Sequence, residues 1–270
     1  MHYIKALFLI LIASVHISCD IFDLSGLFFT TDVDSRMHYN LTLTENQAPI
    51  INDVQNYTFL IMADFHYKDN NPSYIKNAYS KIPDLSFIIV LGDITEAGLK
   101  THYDSVKEDS VSVDIPVYHC IGNHDLYNGG YKYFKEYFGR TVYSFVIDKK
   151  LFLFMDTANS TLGIPQRQYI TDLLNENYEE FMVFTHYSLI DKEIQSPTAM
   201  SNPEDTYFLF DVFEDSKVKF VFSGHLHTLL ELNIRNTNYI TIPASKDTYK
   251  KACLVRVTNA ISNYEIVSLY

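Results

Sequence analysis

The chain has 270 residues, of which 47% are hydrophobic, so it can bury the core of one large α/β domain or of two small ones. Its net charge of −12 argues against a general nucleic-acid binder, because such proteins need basic surface to displace phosphate counterions. We therefore expect no nucleic-acid-binding surface. The acidity itself is typical of a surface that keeps a protein soluble.

The N-terminus predicts export. A lysine precedes an apolar run at 6–15, which is too short to cross a bilayer comfortably but has the order of a secretory signal. Ser18 followed by Cys19 resembles a bacterial lipobox, in which the cysteine is lipidated, although His16 stands where that box usually has leucine. We expect a signal peptide over 1–18 and an exported lipoprotein, anchored in the membrane at the cell surface or in the periplasm. Ordinary cleavage near Ser18 is the alternative.

Residues 19–56 carry few periodic signals and are predicted as an N-terminal linker, within which 32–36 is a polar stretch. The remaining two cysteines, Cys120 and Cys253, could pair in an exported protein. Each lies within or beside an apolar run, however, so two separately buried thiols are expected.

Five apolar runs are predicted as buried strands, because strands that are apolar on both faces suit a sheet covered on both sides. These runs span 58–63, 87–91, 115–121, 181–184 and 218–222. Helices are predicted near 74–81, 99–109 and 164–177. The spacing of about thirty residues between the ends of the first three runs suits βαβ units.

The other predicted strands are shorter. A hairpin is expected from 142–147 and 151–155, and four more strands are expected at 229–234, 239–242, 252–257 and 264–269. This mixture predicts two packed sheets with helices outside them.

A polar patch follows each of the five apolar runs. The patches are Asp64-Phe65-His66, Gly92-Asp93-Ile94-Thr95-Glu96, Gly122-Asn123-His124-Asp125, Thr185-His186 and Gly224-His225-Leu226-His227. In open α/β sheets, functional groups gather beyond the carboxyl ends of the strands. Carboxylate, imidazole and carboxamide groups without thiolate suit Zn, Mn or Fe in a hydrolytic site better than a structural zinc. The glycines are expected to allow sharp turns that let these side chains converge.

The order D-x-H, G-D-x-x-E, G-N-H-D, a separate H, and G-H-x-H resembles that of the calcineurin-like metallophosphoesterase superfamily. The resemblance covers roughly 57–270, which we predict as the metallophosphoesterase domain. It implies an α/β fold in four layers, with two mixed β-sheets flanked by helices. Glu96 departs from the family pattern, which more often has Asp or Asn there. The difference concerns the residues that support the site rather than its metal ligands.

The resemblance also implies a binuclear metal centre with two divalent or trivalent ions, Mn, Fe or Zn. The implied ligands are Asp64, His66 and His227 for the first ion, Asn123, His186 and His225 for the second, and Asp93 as the bridge. Two ions roughly 4 Å apart can clamp a phosphate and activate a hydroxide that attacks phosphorus.

Two further residues have implied catalytic roles. His124 would approach the substrate oxygen as a phosphate-binding group or general acid, and Asp125 would orient His124 through a hydrogen bond. His119, in the strand before Gly122, is expected to be structural. The segment 156–159 follows a strand and is interpreted as a plain turn, with a place in the pocket as the alternative.

The predicted function is metal-dependent hydrolysis of phosphoric esters. The compact catalytic segment resembles the smaller bacterial phosphodiesterases, which favours a phosphodiester substrate over the alternative of a phosphomonoesterase or protein phosphatase. A second class of function is a lipid-anchored surface binding protein with a vestigial metal site. The complete ligand set and the presence of His124 favour the enzyme, because a binding module needs no proton donor beside metal ions.

Overall fold

The computed structural model describes residues 32–41, 48–69, 73–191, 199–214, 217–246 and 251–269. The predicted signal peptide and Cys19 lie outside the described residues, so their roles stay predictions. Among the helices within those ranges, none combines the length and apolar character needed to cross a membrane.

The described chain contains eleven strands and six α-helices. The strands are β1 Tyr57–Met62, β2 Phe87–Leu91, β3 Val117–Cys120, β4 Tyr143–Ile147, β5 Lys150–Phe154, β6 Glu180–Thr185, β7 Val218–Ser223, β8 Leu230–Ile234, β9 Thr237–Thr241, β10 Lys251–Thr258 and β11 Ile261–Ser268. The helices are α1 Val33–Leu41, α2 Tyr74–Lys81, α3 Lys100–Ser110, α4 Tyr131–Phe138, α5 Ile164–Leu174 and α6 Pro203–Glu214. All five predicted apolar runs and the predicted hairpin are confirmed as strands.

Two mixed β-sheets form the centre of the molecule. The first has the strand order β11-β10-β1-β2-β3, in which β1, β2 and β3 are parallel. Strand β10 pairs antiparallel with β1, and β11 pairs antiparallel with β10. The second has the order β4-β5-β6-β7-β9-β8, in which β5, β6, β7 and β9 are parallel. Parallel strands end at the same edge of a sheet, so in each sheet the loops that follow the parallel strands lie beside one another.

The core has three apolar layers that follow the alternation of side chains along each strand. Phe59 of β1 lies between the sheets, where its ring centroid is 5.6 Å from that of Phe152 on β5. Its neighbour Leu60 faces the opposite side and packs with residues of α2, α3 and α4. Residues of α5 and α6 cover the outer face of the second sheet in the same way. The predicted arrangement of two mixed sheets flanked by helices is confirmed.

Helix α1 replaces part of the predicted linker. All of the polar stretch at 32–36 except its first residue lies in this helix, and Arg36 and Met37 are buried. Charged residues made the segment look solvated, but Arg36 finds a buried carboxylate partner in the body of the domain. The linker prediction is therefore wrong for the residues of α1.

The two cysteines lie in strands that are not neighbours. Cys120 is in β3 and Cys253 is in β10, with β1 and β2 between them in the sheet. Both are buried free thiols, as expected. At about 4.8 Å per strand, this separation is too large for a disulfide.

Candidate active site

The loops after the parallel strands have an unusual backbone. Five of the seven predicted metal ligands have positive φ: Asp64 (54°), His66 (49°), Asp93 (47°), His225 (67°) and His227 (53°). An L-residue in this region costs roughly 1–2 kcal/mol. Such strain is typical of functional sites, where the surrounding structure maintains it.

Two glycines allow these loops to come close together. Gly92 has φ 86°, and a Cβ atom there would lie 2.8 Å from His186 Nδ1. A Cβ atom at Gly122 would lie 2.2 Å from the main-chain nitrogen of Asp93. Neither position can therefore carry a side chain without moving a predicted ligand.

The first donor group consists of Asp64, His66 and His227. One ligand atom from each residue lies within 4.8 Å of the others. The Nε2 atoms of His66 and His227 are 3.3 Å apart, and Asp64 Oδ1 is 3.5 Å from His227 Nε2. This is the set predicted for the first ion.

The second donor group consists of Asp93, His186 and His225, joined by Asn123. His225 Nδ1 is 3.3 Å from His186 Nε2, and Asn123 Oδ1 is 2.9 Å from the same atom. His186 Nδ1 donates to the main-chain oxygen of Leu91 at 2.9 Å, which fixes the ring and directs Nε2 into the group. The set predicted for the second ion therefore comes together.

Asp93 lies between the two donor groups. Its Oδ1 is 3.4 Å from His186 Nε2, and its Oδ2 is 3.7 Å from His66 Nε2. One oxygen faces each group, so the carboxylate is placed to contact an ion in either group.

The electrostatics of the site call for added positive charge. Asp64 and Asp93 are buried, and in the described ranges their ion-pair partners are histidines rather than lysine or arginine. Burial alone would raise the pKa of Asp93, yet His186, His124 and His66 hold that pKa well below its ordinary value.

The histidines of the second group have divergent proton affinities. Burial would lower the pKa of His186, but the Asp93 carboxylate raises it to about 9. Burial, with the charge of His186 beside it, lowers the pKa of His225 to about 3. Buried carboxylates need a compensating charge, and this donor set of carboxylates, imidazoles and one carboxamide fits divalent metal ions.

His124 and Asp125 point in different directions from one short 3₁₀ segment over His124–Gly129. His124 is half-buried beside His66, with 4.5 Å between ring centroids, and its Nδ1 is 2.7 Å from the main-chain oxygen of Glu96. Asp125 is wholly buried and accepts hydrogen bonds from Gly122 N, Thr95 N and Thr95 Oγ1. The predicted hydrogen bond between Asp125 and His124 is therefore wrong, because successive residues of this tight turn diverge.

A family model described as calcineurin-like phosphoesterase matches residues 57–229, more than half of the chain. The chain belongs to the calcineurin-like phosphoesterase family. The protein is accordingly a phosphoric ester hydrolase, as the sequence motifs predict, and a phosphoester is its substrate class. A search of curated proteins found no sequence match.

Solved structures share the fold of this phosphoesterase at low sequence identity. A dimetal phosphatase from Danio rerio is 13% identical, with a TM-score of 0.63 over 83% of this chain and 98% of its own. GAP50 of Plasmodium, described as the anchor in the inner membrane complex, is 16% identical, with a TM-score of 0.60 over 79% and 85%. PhoD is 11% identical, with a TM-score of 0.58 over 84% and 70%.

Glu96 has a supporting position in the phosphoesterase that the motif comparison missed. Its Oε2 lies 3.2 Å from His66 Nδ1, and its Oε1 lies 3.3 Å from Lys68 Nζ. Its interaction with His66 lowers the pKa of the Glu96 carboxyl to about 2. Glu96, His66 and His124 also form a third group of side chains close enough to hold a cation. The signal in the sequence was the carboxylate three residues after Asp93.

Proposed function

We propose that this phosphoesterase holds two divalent metal ions, one in each donor group, and that it prefers phosphodiesters. The observation that carries the two-ion proposal is the position of Asp93, whose two carboxylate oxygens face different groups. The ligands are the seven residues predicted from the motifs, with Asp93 shared.

The residues around the proposed ions have separable tasks. When bound, the ions would polarise a phosphoryl group and lower the pKa of water. His124 has Nδ1 anchored on the Glu96 carbonyl, so Nε2 is the atom that contacts the substrate and donates a proton to the leaving oxygen. Asp125 joins the loops of Gly122 and Thr95, and so keeps Asn123 beside Asp93.

The preference for diesters is supported by the openness of the site. His124 is half-buried rather than enclosed, and the described segments between ligand-bearing strands contain no additional folded domain that would cap them. A phosphodiester needs space for a second ester group on phosphorus, which a capped site would restrict.

Hydrolysis of a chromogenic phosphodiester, bis(4-nitrophenyl) phosphate, compared with that of 4-nitrophenyl phosphate, tests this proposal. The protein is first stripped with EDTA and then supplied with Mn²⁺, and the stripped protein serves as the control. We expect no turnover without metal and a higher kcat/KM for the diester with it. A higher kcat/KM for the monoester would replace the diester preference with phosphatase activity.

A non-catalytic role is the second candidate, because the same fold occurs in GAP50, which is described as an anchor. A binding protein would take up metal ions without turning over either substrate. His124→Ala distinguishes the two, since loss of turnover with intact metal binding fits an enzyme alone. Equal background rates in His124→Ala and the unaltered chain would favour the binding protein.

Export and anchoring through a lipidated Cys19 belong to the same proposal, and their support is the order of charged and apolar residues at 1–18. Cys19→Ala should move the protein from the membrane fraction to the soluble fraction of cells. Recovery of the unaltered protein in the soluble fraction would contradict anchoring.

A further inference from the structure

Thr157 contacts the residues on both sides of His186, the side chain of Thr185 and the main chain of Tyr187. Its Oγ1 lies 2.8 Å from Thr185 Oγ1 and accepts a hydrogen bond from Tyr187 N at 2.9 Å. All three residues are buried. One hydroxyl group therefore contacts the residue before and the residue after a predicted ligand of the second ion, so segment 156–159 is more than a plain turn.

A buried ion pair fixes the loop that carries Thr157. Arg36 Nε lies 2.6 Å from Asp156 Oδ2, and Arg36 Nη2 lies 2.8 Å from both Asp156 Oδ1 and Asn159 Oδ1. The side chains of Arg36 and Asp156 are wholly buried. Such a bidentate pair fixes orientation as well as position, and its loss would leave a buried carboxylate unpaired.

The second support of this loop comes from α5. Gln166 accepts from Asp156 N and donates to Asp156 O, both at 2.8 Å. Gln166 holds the main chain of Asp156 while Arg36 holds its side chain. The Asp156 side chain therefore has its arginine partner only when α1, which precedes the family match at 57–229, is docked on the domain.

We infer that Arg36 is a positioning residue for His186, acting through Asp156 and Thr157, and that α1 is thereby a working part of the metal site. This inference rests on the proposed two-ion function. An outer residue that orients a metal ligand is worth 10–100-fold in metal affinity. Since Arg36 acts through Asp156, Thr157 and the chain neighbours of His186, we expect the lower end of that range.

Calorimetric titration of the EDTA-treated full chain with Mn²⁺ tests the inference without substrate. Arg36→Met should weaken one of two binding events about tenfold and leave the other within about twofold. Met37→Ala is the matched control, because Met37 is buried on the same helix but is apolar. It should lower the melting temperature while keeping both affinities within about twofold.

Because Arg36→Met can unfold the chain, Thr157→Val is a second variant, which keeps the ion pair and removes only the hydroxyl. It should weaken the same binding event, and the double variant should be no weaker than the worse single one. Unchanged affinities in a folded Thr157→Val, or equal weakening by Met37→Ala, would overturn the inference.

The number of bound Mn²⁺ ions and the hydrolysis of phosphoesters show whether the positioning role of Arg36 or the proposed function has failed. An unaltered chain that binds fewer than two Mn²⁺ ions would overturn both. An unaltered chain that binds two ions but hydrolyses no phosphoester would end the proposed activity alone, and the Thr157→Val titration would still decide the inference.

Discussion

His124 Nδ1 lies 2.7 Å from the main-chain oxygen of Glu96, and this contact orients the proposed general acid. A main-chain carbonyl cannot be removed by substitution, so the orientation of His124 depends on the fold of the loop rather than on one partner side chain. His124→Ala should lower kcat by about 10²–10⁴, the usual contribution of general acid–base catalysis. Steady-state kinetics with Mn²⁺ measure the effect, and calorimetry should still find two bound ions. Retention of wild-type kcat would remove the role of His124.

The buried Asp125 carboxylate should matter first for stability. Asp125→Asn places an amide donor among the N–H and O–H donors of Gly122 and Thr95, which leaves buried groups unsatisfied. We expect a loss of about 2 kcal/mol in the free energy of unfolding, measured with urea on metal-free protein. The exposed Asp211 on α6 provides the control, because Asp211→Asn should change this free energy by less than about 0.5 kcal/mol. Equal effects of the two substitutions would refute the assignment.

Glu96 should strengthen metal binding through His66. Glu96→Gln keeps the shape of the side chain but removes the charge that faces His66 Nδ1 at 3.2 Å. Because the carboxylate is one-third exposed, solvent screens it, and we expect a loss of about tenfold in Mn²⁺ affinity at one site. Glu176→Gln, at an exposed position after α5, should change neither affinity. A titration in which both variants bind Mn²⁺ with the affinities of the unaltered protein would show that Glu96 does not support His66.

His119 should make the protein sensitive to acid. Burial lowers the pKa of His119 in the folded state to about 3, whereas the unfolded value is about 6.5. Between these values the unfolded chain binds a proton that the folded chain does not, so stability falls as the pH falls. From pH 7 to pH 5 the metal-free protein should lose about 2 kcal/mol more than His119→Phe. Ser110 Oγ keeps its bond to Val106 O in this variant, and equal pH dependence of the two proteins would show that His119 is protonated in the fold.

Much of the fold could be predicted because local pattern and tertiary position agree. Phe59 and Leu60 are both apolar, and the structure buries them in two different layers, as a strand covered on both faces requires. The predicted ligands also come together, because parallel strands end at one edge. Asp125 could not be placed, since the divergence of two adjacent side chains on a 3₁₀ segment depends on backbone angles that the motif does not encode.

Helices α1, α4 and α6 were not predicted, and two different reasons apply to α1 and α4. The sequence of α1 is polar, which is typical of an exposed segment. Arg36 is buried only because it pairs with Asp156, which is 120 residues away in the chain. In α4, five of the eight residues from Tyr131 to Phe138 are aromatic, a composition that favours strands in isolation. Packing of Phe134 against the first sheet overrides that preference. Long-range contacts, rather than local propensity, decide α1 and α4.

The proposed function places one metal ion on each side of Asp93. Anomalous scattering from a crystal of the protein soaked with Mn²⁺ measures their positions directly. We expect two peaks that both contact Asp93, one among Asp64, His66 and His227 and the other among Asn123, His186 and His225. A single peak, or a peak among His66, Glu96 and His124 with the second group empty, would contradict it.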